Sequence, residues 1–224
     1  MEHICMVHKL NETINNNDLP ILGGFIVHVS APNDAAGETR ELTYRSGIAG
    51  KVIVADGSNK IALNSGGSPS YTNEITIPAN STGRTIVFAA GEYDIIICNK
   101  EDIRSFNFFH NVSLGGKVQF SLDLNELIYA PYLYEISIFG ITLTKRFDIT
   151  KLLGKSTLKT FQLGAGASAQ LVNPEYVYGS IEHFSDYTAM TTLRLNGCIN
   201  VTGSRSTLPQ SITSLDLNGT SCTE

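Results

Sequence analysis

Charge is sparse in this chain and carries no pattern. Asp, Glu, Lys and Arg make up 17% of its 224 residues, and the formal net charge of -5 arises without any basic run. With no basic stripe, nothing draws the surface to a phosphate backbone or an anionic bilayer, so nucleic acid is not an expected partner. Long apolar stretches are missing too: no segment approaches the roughly 18 apolar residues of a membrane span, and no membrane insertion is expected. The opening segment, MEHICMVHKLNETINNNDLPIL, has neither the basic start nor the unbroken apolar stretch of a secretory signal, which predicts a chain made in a cytoplasm. Four cysteines, at 5, 98, 198 and 222, are too few and too scattered for a disulfide scaffold, and none forms a C-x-x-C pair. They are expected to be reduced and mostly buried.

Signals for chemistry are equally scarce. The histidines, at 3, 8, 28, 110 and 183, show no metal-ligand spacing with cysteine or carboxylate neighbours, and no G-x-S-x-G elbow occurs. GAGASA at 164–169 follows a strand pattern, but Pro174 arrives too soon for the helix that a dinucleotide fingerprint must open. GKS at 154–156 lacks the glycine five residues upstream, where Ile149 stands. No catalytic residue, metal or cofactor is therefore assigned, and the chain is read as a non-enzyme.

What the chain does contain is repetition. Hydrophobic residues make up 42% of it, enough for a buried core, and many follow the pattern L-x-x-L-x-L. Copies are Ile103, Phe106, Phe108; Leu133, Ile136, Ile138; Leu158, Phe161, Leu163; Met190, Leu193, Leu195; and Ile212, Leu215, Leu217. Side chains alternate along a strand, so the last two apolar residues of each copy face the same way. The copies start 22 to 32 residues apart, the period of a solenoid whose coils bury their apolar edges only against one another. Between them, GKVQFSLDL, FDITKLLG, GSIEHFSDY and GSRSTLP are expected to form short convex turns.

The first hundred residues follow a different grammar. GFIVHVSA, GKVIVADGSNKIAL, NEITIPAN and RTIVFAAGEYDIIIC are β-branched runs punctuated by Gly, Asn, Ser and Pro, and they read as strands. Asp56-Gly57 predicts a hairpin turn, a second hairpin is expected at 90–92, and NSGGSPS at 64–70 reads as a surface loop. The expected fold is mainly β. An arm over 1–22 leads to a β-sandwich or barrel over 23–100, followed by about five solenoid coils over 101–224.

The L-x-x-L-x-L strands, Asn111 and Cys198 at the position after them, and the openings at Gly116 to Val118 and Gly179 to Ile181 resemble leucine-rich repeats. With ITIPANSTGRTIVFAAGEYDIIICNKEDI ahead of the first coil, the chain is similar to irregular repeat proteins of gut bacteria and their bacteriophages. That resemblance implies a virion structural protein, a fibre or decoration component, located in the particle and touching other virion proteins or a host-surface glycan or protein. The alternative is a bacterial surface or secreted adhesin, at the cell surface. The Asn-rich segment NETINNND and the lack of a polar cap after the fifth copy lead to the expectation of a homo-oligomer, a trimer if the protein is a fibre.

Residues alternating with the apolar pair should form outward columns. One runs Ser105, Glu135, Thr160, Thr192, Ser214; the next runs Asn107, Ser137, Gln162, Arg194, Asp216; the third begins with Phe109 and Phe139. Candidate partner-binding residues are Phe109, Phe139, Glu135, Asn107, Gln162, Arg194 and Asp216. The two aromatic rings are expected to share one exposed apolar spot.

Overall fold

A computed structural model describes residues 24–32, 37–38, 41–44, 46–64, 68–79, 85–109, 118–128, 130–154, 156–164 and 171–224. The expected arm, Asn111, Gly116 and most of GAGASA lie outside the described residues. The protein is mainly β.

Before residue 100 come β1 (Phe25–Ala31), β2 (Gly37–Glu38), β3 (Glu41–Tyr44), β4 (Gly50–Val54), β5 (Ile61–Leu63), β6 (Glu74–Ile77), β7 (Ile86–Phe88) and β8 (Gly91–Ile97). In β1, Phe25, Val27, Val29 and Ala31 are buried while Ile26, His28 and Ser30 turn the other way, the period-two alternation of a half-buried strand. β8 pairs antiparallel with β1 and β4, and β4 with β6. A separate sheet joins β5, β7 and β2.

The two expected hairpins are instead corners between sheets. The Asp56-Gly57 turn is tight: Gly57 has φ 74, its N–H donates to Val54 O at 3.0 Å, and Asp56 Oδ1 accepts from Ser58 N at 2.8 Å. β4 already carries β6 on one edge and β8 on the other, so no edge is open to β5, and the chain crosses to the second sheet. The turn at 90–92 brings it back from β7 to β8. The corners are stitched together, with Ala89 N donating to Lys60 O and Lys60 Nζ to Ala90 O, each at 2.8 Å.

Beyond residue 100 the strands are β9 (Ile103–Phe109), β10 (Gln119–Leu122), β11 (Glu135–Phe139), β12 (Thr142–Leu143), β13 (Phe147–Asp148), β14 (Thr160–Leu163), β15 (Val177–Ser180), β16 (Thr192–Arg194), β17 (Asn200–Ser204), β18 (Ser214–Asp216) and β19 (Ser221–Thr223). From β13 onward the chain alternates between two parallel ladders. One is β9, β11, β14, β16 and β18; the other is β13, β15, β17 and β19. Phe106, Ile136, Phe161, Leu193 and Leu215 stand opposite one another, the phase read from the repeated pattern. The apolar triplets of the first four copies are buried, whereas Leu215 on the edge strand β18 is 43% exposed.

The segments expected as convex turns each hold a short strand followed by a 3-10 turn: Leu124–Leu127, Ile149–Lys151, Ile181–Asp186 and Arg205–Thr207. The side chains of Asp123, Asp148, Ser180 and Ser204 cap these turns, each accepting from the N–H two residues on. Glycine then lets neighbouring circuits close up. A Cβ on Gly179 would lie 2.9 Å from Asp148 Oδ1, and one on Gly203 2.7 Å from Ser180 Oγ; their φ angles, +119 and +111, also disfavour a side chain.

The two halves share their sheets. β10 pairs antiparallel with β1 and parallel with β12, while β3 pairs antiparallel with β9 at the edge of the first ladder. The expected boundary at 100 therefore crosses two six-stranded sheets, and one core runs from Phe25 to Leu217. Aromatic rings fill the junction: Phe106 lies 5.6 Å from Phe25 and 4.4 Å from Phe108, and Phe120 lies 5.4 Å from Phe108 and 5.1 Å from Phe88.

Leu193 is fully buried between neighbouring rows. Leu193→Ala is expected to lower stability by about 2–5 kcal/mol, read as a shift of the urea midpoint at constant slope. Asp123 supplies a pH-dependent term. Burial raises its pKa, but hydrogen bonds from Lys145 and Asn125 outweigh that and hold the carboxyl below its usual value. A depressed native pKa contributes stability that is full above the unfolded carboxylate range and is lost as pH falls through the native value. Between about pH 5 and pH 2, the native protein should lose more stability than Asp123→Asn does, as measured by urea titrations at each pH.

Candidate functional site

Alternation in the first ladder turns Ser105, Glu135, Thr160, Thr192 and Ser214 away from the core in one row, and Asn107, Ser137, Gln162, Arg194 and Asp216 in the next. The rows are held partly by their own hydrogen bonds. Glu135 is the hub of the first two strands: its carboxylate accepts from Ser137 Oγ at 2.9 Å, Asn107 Nδ2 at 3.3 Å and Ser105 Oγ at 3.4 Å. Gln162 Nε2 donates to Ser137 Oγ at 3.5 Å. Asn107, Glu135 and Gln162 thus belong to one network spanning β9, β11 and β14.

Arg194 and Asp216 form a second cluster on β16 and β18. Their Cα atoms are partners across the strands, but the Arg194 guanidinium donates instead to Ser214 Oγ, from Nη2 at 2.9 Å and Nε at 3.3 Å. Asp216 accepts from Asn218 N at 3.1 Å and from Asn196 Nδ2 at 3.4 Å. Phe109 and Phe139 are paired in backbone register. Phe139 is half-buried, and the Phe109 side chain lies outside the described residues.

Adjacent strands lie about 4.8 Å apart, so the face offers carboxylate, amide, threonine hydroxyl and guanidinium groups at strand spacing, while Ser105 and Ser137 are buried beneath Glu135. Such an array suits hydrogen bonding to an extended partner. Buried titratable groups elsewhere serve packing. Tyr187 OH donates to Leu152 O at 2.7 Å and contacts His183 Nε2 at 2.9 Å, and burial pushes its phenol up to about 12. Burial likewise pushes the Cys198 thiol up to about 12, far from a nucleophile's range. Cys98 and Cys198 are buried and Cys222 is half-buried. No group of three His, Cys, Asp or Glu that could hold a metal occurs among the described residues.

A further row stands one position ahead of Ser105 and its equivalents, outside the outward columns expected from the sequence. Arg104, Tyr134, Lys159, Thr191 and Thr213 are the second letters of the five L-x-x-L-x-L copies. Each N–H donates to the carbonyl of the row member before it, at 2.7 Å for Tyr134, 2.8 Å for Lys159 and 2.9 Å for Thr191 and Thr213. The repeat itself carried the signal.

Glu135→Ala is expected to lower stability by only about 1 kcal/mol, as a half-exposed hydrogen-bonding hub, with unchanged circular dichroism. A loss as large as that of a buried leucine would make Glu135 a structural keystone rather than part of an open face. No protein-family model, no curated protein and no solved structure matches the chain.

Proposed function

We propose that the protein is a leucine-rich-repeat-like solenoid that works by binding rather than catalysis. Its place is in a bacteriophage particle, as a fibre or decoration component. The observation that supports a binding role is the continuity of the ladder face, where in-register strands align Asn107, Glu135, Gln162, Arg194 and Asp216 in neighbouring positions. Both charge signs and neutral amides occur within a few strand spacings, a pattern that favours a complementary protein or glycan surface over a uniformly charged polymer. The particle assignment rests on the likeness of the repeat pattern to phage repeat proteins. In that setting the chain assembles as a homo-oligomer and contacts other virion proteins or a host surface.

The test is quantitative mass spectrometry of purified particles of the phage that encodes the chain. Recovery at a fixed copy number per particle is expected, and its absence from particles overturns the virion reading in favour of an adhesin. Glu135→Lys combined with Arg194→Glu should fold normally and reduce incorporation at least about tenfold, since reversed charges at a docked face cost binding energy.

A further inference from the structure

At the leading edge of the first ladder lies a pocket of about 370 Å³, lined among others by Arg104, Lys159, Tyr132, Tyr134, Ser46 and Ser156. Both parts of the chain build it. Arg104 comes from β9, Tyr134 and Lys159 directly precede β11 and β14, and Ser46 follows β3. Two cations meet at one ring: Arg104 Cζ is 5.2 Å and Lys159 Nζ 5.0 Å from the centre of Tyr134.

No carboxylate lines this pocket among the described residues. Lys51, Lys100, Lys145 and Arg205 reach acidic partners, whereas Arg146 rests on Tyr178 and Arg194 on Ser214; what sets this pocket apart is that two cations converge on one ring. Arg104 and Lys159 instead rest on Tyr134, which positions the charges without neutralising them. Their N–H groups are the donors that recognise an oxyanion, with Arg offering a planar fork and Lys a point charge. Around them stand the hydroxyls of Ser46, Ser156 and Tyr132, which both donate and accept, and Tyr132 is 42% exposed as a flat amphipathic wall. The volume lies near the lower end of the roughly 300–1,000 Å³ range of small-ligand sites.

We infer that this pocket binds an acidic sugar, its carboxylate or sulfate held between Arg104 and Lys159 and its hydroxyls met by the serines and Tyr132. The inference is independent of where the protein is assembled. The ligand is either a free acidic monosaccharide or such a residue at the end of a surface glycan; the recognition chemistry is the same.

The experiment is isothermal titration of the purified full-length chain at low salt with glucuronate, glucose 6-sulfate, a disaccharide ending in glucuronate, glucose and inorganic sulfate. Saturable binding of at least one acidic sugar below about 10 mM is expected, with none for glucose and weaker binding for sulfate alone. A disaccharide affinity at or above that of the monosaccharide assigns the glycan source, and a markedly lower one the free sugar. Arg104→Gln and Lys159→Gln should each weaken binding about tenfold or more, while Lys159→Arg retains it. Arg205→Gln, which removes the same charge far from the pocket, should bind as the native chain does. Unchanged melting of the variants separates lost binding from lost folding. No saturable binding of any acidic sugar, equal loss in Arg205→Gln, or sulfate binding as tight as that of the sugars overturns the inference.

Discussion

Everything on the ladder side of the molecule depends on parallel strands meeting in one register. A slip of a single residue in β16 would turn Leu193 out and Arg194 into the core, because neighbouring side chains in a strand point to opposite faces. Three features hold that register. Apolar rows such as Phe161 and Leu193 fill the interior, the backbone row from Arg104 to Thr213 closes the leading edge, and on the far ladder Gly179 and Gly203 sit against the caps of the preceding circuit. Each restrains a different point of the circuit, so the outer face inherits an order that its own half-exposed side chains need not impose.

The early strands are woven into that arrangement rather than set beside it. β3 extends the ladder at its first edge, and β10 leaves the ladders to extend the sheet of β1 and β8. A parallel stack exposes an unpaired strand and apolar residues at each end. At the first end both are occupied, the edge by β3 and the interior by the stacked pair Phe106 and Phe108 against Phe25 and Phe120. Lys100, buried beside the start of β9, is held by Glu126 at 2.5 Å, a charge pair at the same seam.

The ladder was legible because its code is simple: apolar residues at fixed offsets, repeated, in strands whose alternation is dictated by backbone geometry. The corners were not. Asp56-Gly57 reports a backbone angle that suits a tight turn, but which strand follows depends on which edge is vacant, and β4 had none. The second ladder was hidden for another reason, since β15 and β17 each bury one apolar residue, Val177 and Val201, and carry Gly179 and Gly203 where a further apolar residue would show alternation. Its better signal was Asp or Ser just ahead of the 3-10 turn, as at Asp123, Asp148 and Ser180. On the outer face, the columns placed Asn107, Glu135 and Gln162 near one another; that Arg194 would choose Ser214 over Asp216 is a matter of rotamers, which no pattern encodes. The cations on Tyr134 lay one position ahead of the columns considered.

The close seating of glycine against cap decides where this architecture has slack. The step from β14, ending at Leu163, to β15, starting at Val177, uses more residues than the same step one circuit later, from Arg194 to Asn200. The return paths, from Ser180 to Thr192 and from Ser204 to Ser214, are closer to uniform because they carry the capped turns and the rings, such as Phe184 against Phe161 at 5.7 Å, that meet the ladder from behind. One flank therefore has a rigid gauge and the other a free length. Length added on that flank leaves the spacing of glycine against cap unchanged, so that flank is where such a chain can diversify while its stacking stays the same.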